Sequence, residues 1–142
     1  MNTTSAATAT AVTFVWLGMV LAISFLEAPL KFRAPGVTVP VGLGIGRLVF
    51  RALNAVESVL AAVLVCAVAA GGAPAGVVWP AGAAAVLLLV QLAVVRPFLN
   101  RRSDRVLAGE ELPRSRSHLW YVALEAVKVV ALIALGTALL GT

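Results

Sequence analysis

Apolar residues gather into four long stretches, residues 8–28, 50–70, 77–95 and 119–140, separated by segments in which charge, proline and glycine collect. Each stretch holds about 20 residues, enough at about 1.5 Å of rise per residue to cross about 30 Å of hydrocarbon. Separate segments satisfy their backbone groups in lipid only as helices, and the alternation expected of a barrel strand is absent. The pattern predicts an all-α integral membrane four-helix bundle in which residues 1–142 form one domain.

Composition removes the soluble alternative. Of the 142 residues, 61% are hydrophobic and 12% charged, against about 25% charged in a soluble domain. The mean hydropathy is +1.03. A small domain leaves much of its surface exposed, so this much apolar area cannot be hidden from water.

Charge sets the expected orientation. No ionised side chain occurs in residues 1–26, 58–95 or 129–142; the charges form two blocks, residues 27–57 and 96–128, with net values of +2 and +3 that make up the total of +5. Cytoplasmic loops carry the Lys/Arg excess, so both blocks are expected inside, with both termini and the connection at residues 71–76 outside. A bacterial-type plasma membrane with N-out, C-out topology is the expected setting. The first stretch is not expected to be a cleaved signal, because no Lys or Arg precedes it and its apolar run exceeds a signal core. The basic residues flank membrane ends, where they attract anionic lipid headgroups, and nucleic acid is not an expected partner. Cys66 has no second cysteine to pair with and reads as a small apolar filler.

The connections carry their own signals. Gly71, Gly72, Pro74 and Gly76 mark a tight turn, which places Pro80 in the first turn of helix three. Thr38 and Pro40 fit a cap and an early helical proline, so helix two is expected to begin near Pro40 and extend below the membrane, with Arg47 and Arg51 at headgroup level. Gly42, Gly44 and Gly46 lack the strand and lysine of a nucleotide loop, and close helix packing is the better reading. The segment from Arg96 to Ser117 reads as a solvated connection, in part helical. Two weak internal similarities, Ala52–Glu57 with Ala123–Lys128 and Pro29/Arg33 with Pro97/Arg101, are compatible with two parallel hairpin repeats related by an axis along the membrane normal. Chance also accounts for them in a chain so rich in Ala, Leu and Val.

The polar residues inside the spans are the informative ones. Counted from the outer ends, Glu57 and Lys128 lie about 10–12 Å above the inner boundary and Glu125 about 8 Å above it, with Glu27 at the edge. Charged groups at such depth turn inward and find partners. His118, Tyr121, Glu125 and Lys128 share one stripe of helix four, Arg47, Arg51, Asn54 and Ser58 one of helix two, and Ser24, Glu27 and Lys31 one of helix one; Gln91 is the polar residue of helix three. Glu57 is expected to pair with Lys128, and Glu125 to join them. The candidate ligand-handling residues are Asn54, Glu57, Glu125, Lys128, Glu27 and Arg51. Equally open is a purely structural network that fixes helix register.

Other chemistry has little support. His118 after Ser117 suits a helix start better than metal ligation, and without a Glu-x-x-His pair a di-iron bundle is disfavoured. There is no G-x-S-x-G elbow and no histidine placed for Cys66, so neither a cofactor nor enzyme activity is expected. Trp120 and Tyr121 suit an inner aromatic belt and Trp79 an outer one.

Gly18, the run Pro29-Leu30-Lys31-Phe32-Arg33, the run Gly46-Arg47-Leu48-Val49-Phe50, Arg96-Pro97 and His118 together resemble a small four-helix membrane family of unknown function. That family groups bacterial proteins with the eukaryotic transmembrane-protein-205 type. The resemblance implies four spans and no particular chemistry, and Glu125 stands where the family pattern calls for asparagine. Two functions follow from the residues: binding or transport of a proton, ion or small polar ligand, or an accessory or assembly subunit contacting another membrane protein or a second copy through small-residue surfaces near Gly82 and Ala85. The topology is checked by placing a cysteine at Val106 in a Cys66→Ala background. An impermeant maleimide is expected to label it only after the cells are opened, and labelling of intact cells contradicts the orientation.

Overall fold

The computed structural model describes residues 1–110 and 116–142, the side chains of 116–118 excepted. The described residues form four long helices and no strand: α1 (Thr3–Arg33), α2 (Val39–Gly71), α3 (Ala75–Leu107) and α4 (Arg116–Leu140). All four contain a span long and apolar enough to cross a membrane. Neighbours around the bundle are α1 with α2 and α4, and α3 with α2 and α4, an up-down ring with short connections. The N-terminal end is tied to the end of α2 by the Asn2 amide, which donates to the Gly71 carbonyl at 3.2 Å.

Each helix buries positions that alternate four and three apart. On α1 these are Ala9, Thr13, Trp16 and Val20; on α3 Val77, Ala81, Ala84, Leu88, Gln91 and Val95; on α4 Tyr121, Glu125, Lys128, Leu132, Leu135 and Leu139. On α2 the same spacing runs through Asn54, Glu57, Ala61 and Leu64, with Leu53 buried beside it. This is the spacing of helices that cross at small angles and interlock side chains. Leu48, Val59, Trp79, Leu89, Val130 and Leu140 project outward, as expected where lipid replaces water as solvent.

The helices run further than the apolar stretches. α2 begins at Val39, with the Thr38 hydroxyl accepting from the Val41 amide at 3.4 Å and Pro40 in the first turn. The segment after Arg96 continues α3 to Leu107 before Gly109, at φ +92°, ends it. Half of its residues are Arg or Leu, good helix formers, so polarity there marks the exit from the bilayer and not the end of the helix. α3 also starts earlier than the glycines suggest, at Ala75, so Pro80 lies in the second turn and removes the bond that would reach the Gly76 carbonyl.

Two wide π-helical turns interrupt the halves of α1 and α3 nearer the basic end, at Leu21–Glu27 and Gln91–Val95. In each, a backbone amide reaches five residues back, Ala28 to Ile23 and Arg96 to Gln91. Each ends two residues before a proline, Pro29 or Pro97, whose missing N–H and bulky ring open the turn ahead of it. The same device at the same place in both hairpins agrees with the internal similarity.

The end of α1 closes on the glycines of α2. A Cβ at Gly42 would stand 2.2 Å from Phe32 Cε1, and one at Gly46 would stand 2.9 Å from Lys31 Nζ. Gly44, by contrast, faces open space. Gly42→Leu is expected to cost about 1–3 kcal/mol by overpacking, read as a lower Tm in detergent. Phe32→Ala in the same chain should return part of the loss, because it removes the ring that the new side chain meets.

Candidate functional site

The inner seam positions carry ionisable groups where the outer ones carry Leu and Ala. Lys128, from α4, is fully buried, and its ammonium meets three oxygens: Glu57 Oε2 at 2.5 Å, Glu125 Oε1 at 2.6 Å and Gln91 Oε1 at 2.7 Å. An ammonium has three N–H donors, so each has an acceptor. The Gln91 amide turns its other end to Glu125, Nε2 donating to Oε1 at 2.9 Å, which fixes which way the amide points. Trp16 Nε1 donates to Glu57 Oε2 at 2.7 Å, and the Ser24 hydroxyl donates to Glu125 Oε2. All four helices contribute.

These contacts are what makes the burial tolerable. An isolated charge in an apolar interior costs far more than a fold of this size can spare, and a buried ion pair offsets that cost only when its remaining hydrogen-bonding positions are filled. Here every polar atom of the trio is bonded except one: Glu57 Oε1 is buried and has no partner among the described residues. Two carboxylates and one ammonium leave the trio with a formal charge of −1.

The wide turns place the neutral members. Ser24 lies within the α1 turn and Gln91 opens the α3 turn, so the prolines below each turn help set where these donors face. π-type turns inside helices are frequent at functional sites for this reason.

The structure brings Glu57, Glu125 and Lys128 together and leaves the other candidates around them. Asn54 is buried on the same face of α2, yet none of the trio's hydrogen bonds uses its amide. Arg51 points outward and is exposed; Ser58 is exposed too, its hydroxyl donating to the Asn54 carbonyl at 2.8 Å. The stripe through Arg47, Arg51, Asn54 and Ser58 is geometrically real, but the interior is centred on Glu57, about 120° around the helix from Arg51. Glu27 stays apart with Lys31, 3.8 Å away. Tyr121 does not sit in a headgroup belt: it is 4% exposed and meets Phe50 edge-on at 5.7 Å. Trp120 is two-thirds exposed, as a belt residue should be. The side chains of Ser117 and His118 lie outside the described residues.

Ser24 comes from the polar stripe of helix one, whereas Trp16 is a member of the network that the polar pattern does not show. The signal for Trp16 was available: an indole carries a donor and no acceptor, so one buried in mid-span needs an oxygen within reach.

The surroundings of the trio are unequal. Toward the chain termini, Leu64, Leu88, Leu132 and Leu135 pack into a dry core. Toward the basic end lies a cavity of about 430 Å³, lined from all four helices, with Ser24 and Glu125 shared between it and the trio.

Lys128→Met is expected to destabilise the protein by about 3–5 kcal/mol, because it strands two buried carboxylates. The triple variant Glu57→Gln/Glu125→Gln/Lys128→Met should recover much of that loss, measured by thermal unfolding in detergent. A scan against protein-family models gives no match for this chain, and searches of curated proteins and of solved structures likewise give none.

Proposed function

We propose that this integral membrane protein binds or moves a small species by means of a proton held in the Glu57–Glu125–Lys128 network, reached from the basic, cytoplasmic end. The observation that carries the reading is the unpartnered Glu57 Oε1 in a trio of formal charge −1. One proton makes the trio neutral, and Glu57 Oε1 is the carboxylate oxygen not already bonded. The cavity that touches Glu125 supplies a route for water on one side, while the packed leucines close the other. Ionisable groups inside a bilayer commonly mark proton relays and substrate paths, which supports the same reading.

A second reading, an accessory subunit with a purely structural network, has one observation in its favour. Gly82 faces outward and a Cβ there would meet nothing within 4 Å, so a small-residue surface remains open for another helix. Native mass spectrometry from membrane extracts separates the two, since a consistently solitary chain contradicts the subunit reading.

The proton reading is tested by infrared difference spectra between acid and alkaline pH, recorded on protein in lipid. The wild type should show the carbonyl band of a buried protonated carboxyl that disappears with rising pH, and Glu57→Gln, still folded by circular dichroism, should lack it. A spectrum that is the same in both proteins overturns the proposal.

A further inference from the structure

The cavity contains groups that the charge trio does not use. Arg96, from α3, lies over the rings of Phe50 and Tyr121, 5.1 and 5.9 Å from their centroids, and has no carboxylate partner among the described residues. Tyr121 is almost completely buried, lines the cavity, and its hydroxyl has no hydrogen-bond partner among the described residues. Two further cations line the same space. Lys31 stands 3.8 Å from Glu27 and over the rings of Phe32 and Phe50, and Arg47 is bonded to Asp104.

The one acid of the lining among the described residues, Glu125, is already engaged by Lys128, Gln91 and Ser24. Beside the neutral Asn100 and Ser103, the polar groups left over are the cations and the Tyr121 hydroxyl, and what satisfies those must bring acceptor oxygens and negative charge. A cationic ligand would meet Lys31, Arg47 and Arg96, and a neutral one would leave the Arg96 guanidinium unpaired in a half-buried place. Apart from Asn100 and Ser103, the rest of the wall is apolar, with Phe25, Leu43, Leu99 and Val122 among its residues. At about 430 Å³ the cavity is in the size range of small-molecule sites.

We propose that this cavity binds an amphiphile with one oxyanion head, a phosphate or a carboxylate, held by Arg96 and the Tyr121 hydroxyl, with its apolar part against Leu43, Leu99 and Val122. The inference does not require the trio to exchange a proton. Planar guanidinium groups suit such heads because they present paired donors, and the tyrosine hydroxyl adds a donor that carries no charge of its own. The same head chemistry comes from two sources, a membrane phospholipid or a free acid such as an alkyl phosphate, and the cavity chemistry is common to both.

The test uses the full chain, delipidated in a neutral detergent and titrated by native mass spectrometry with decyl phosphate, decanoate, phosphatidic acid, phosphatidylcholine and inorganic phosphate. One equivalent of an acid-headed amphiphile is expected to bind. Decyl phosphate or decanoate binding identifies a site open to free acids, and binding of phosphatidic acid alone identifies a lipid site; either supports the proposal. Tyr121→Phe, which removes one oxygen and leaves the ring in place, and Arg96→Gln should each weaken binding about tenfold or more, the usual effect of losing a hydrogen bond to a charged group. Arg101→Gln, an exposed change outside the cavity, should leave the affinity as it was. If Arg96→Gln does not fold, Tyr121→Phe still decides. Affinity unchanged in Tyr121→Phe, equal binding of phosphatidylcholine, or inorganic phosphate binding as tightly as decyl phosphate overturns the proposal.

Discussion

A lysine ammonium sealed between four helices has to be given three oxygens, and that requirement organises the inner half of this protein. Lys128 takes one oxygen from each of three residues on three different elements, Glu57, Gln91 and Glu125. Such contacts are directional, so they fix the rotation of α2 and α3 against α4 more tightly than leucine packing does. The outer half makes no such demand: Leu64, Leu88, Leu132 and Leu135 need only fill space. Register is thus set at one level of the bilayer, while the remaining seam positions follow by shape.

The prolines belong to the same arrangement. Pro29 and Pro97 lie close to the basic end, where they read in sequence as helix ends, yet both helices continue past them. The wide turn ahead of each proline carries Ser24 and Gln91, which bond the carboxylate and ammonium of α4. A local backbone defect and a distant polar contact are in this way parts of one solution.

What the chain disclosed beforehand follows from which forces act locally. The four spans were readable, since burial in lipid depends on each stretch alone, and the approach of Glu57 to Lys128 was readable from charge and depth. The start of α2 was readable from Thr38 and Pro40, whereas the full run of α3 past Arg96 was not, because that polar segment is helix-compatible and only the bilayer distinguishes it from the span. The face that α2 turns inward was legible in part: Asn54 and Glu57 are both buried, while Arg51 and Ser58, which share a regular spacing with Asn54, are exposed, because packing selects the Asn54–Glu57–Ala61–Leu64 seam. Tyr121 looked like a headgroup residue because its neighbour Trp120 is one. One step of a helix, about 100°, separates an exposed ring from a buried one.

The unequal walls around the trio have an electrical consequence. A voltage across a membrane falls where water is excluded, so in this molecule it drops mostly over the leucine-packed half and little over the hollow half. A charge at the depth of Glu125 is separated from the hollow end by a small fraction of the field and from the end beyond Leu132 and Leu135 by nearly all of it. The position of the hollow therefore decides on which side of the trio a transmembrane voltage falls.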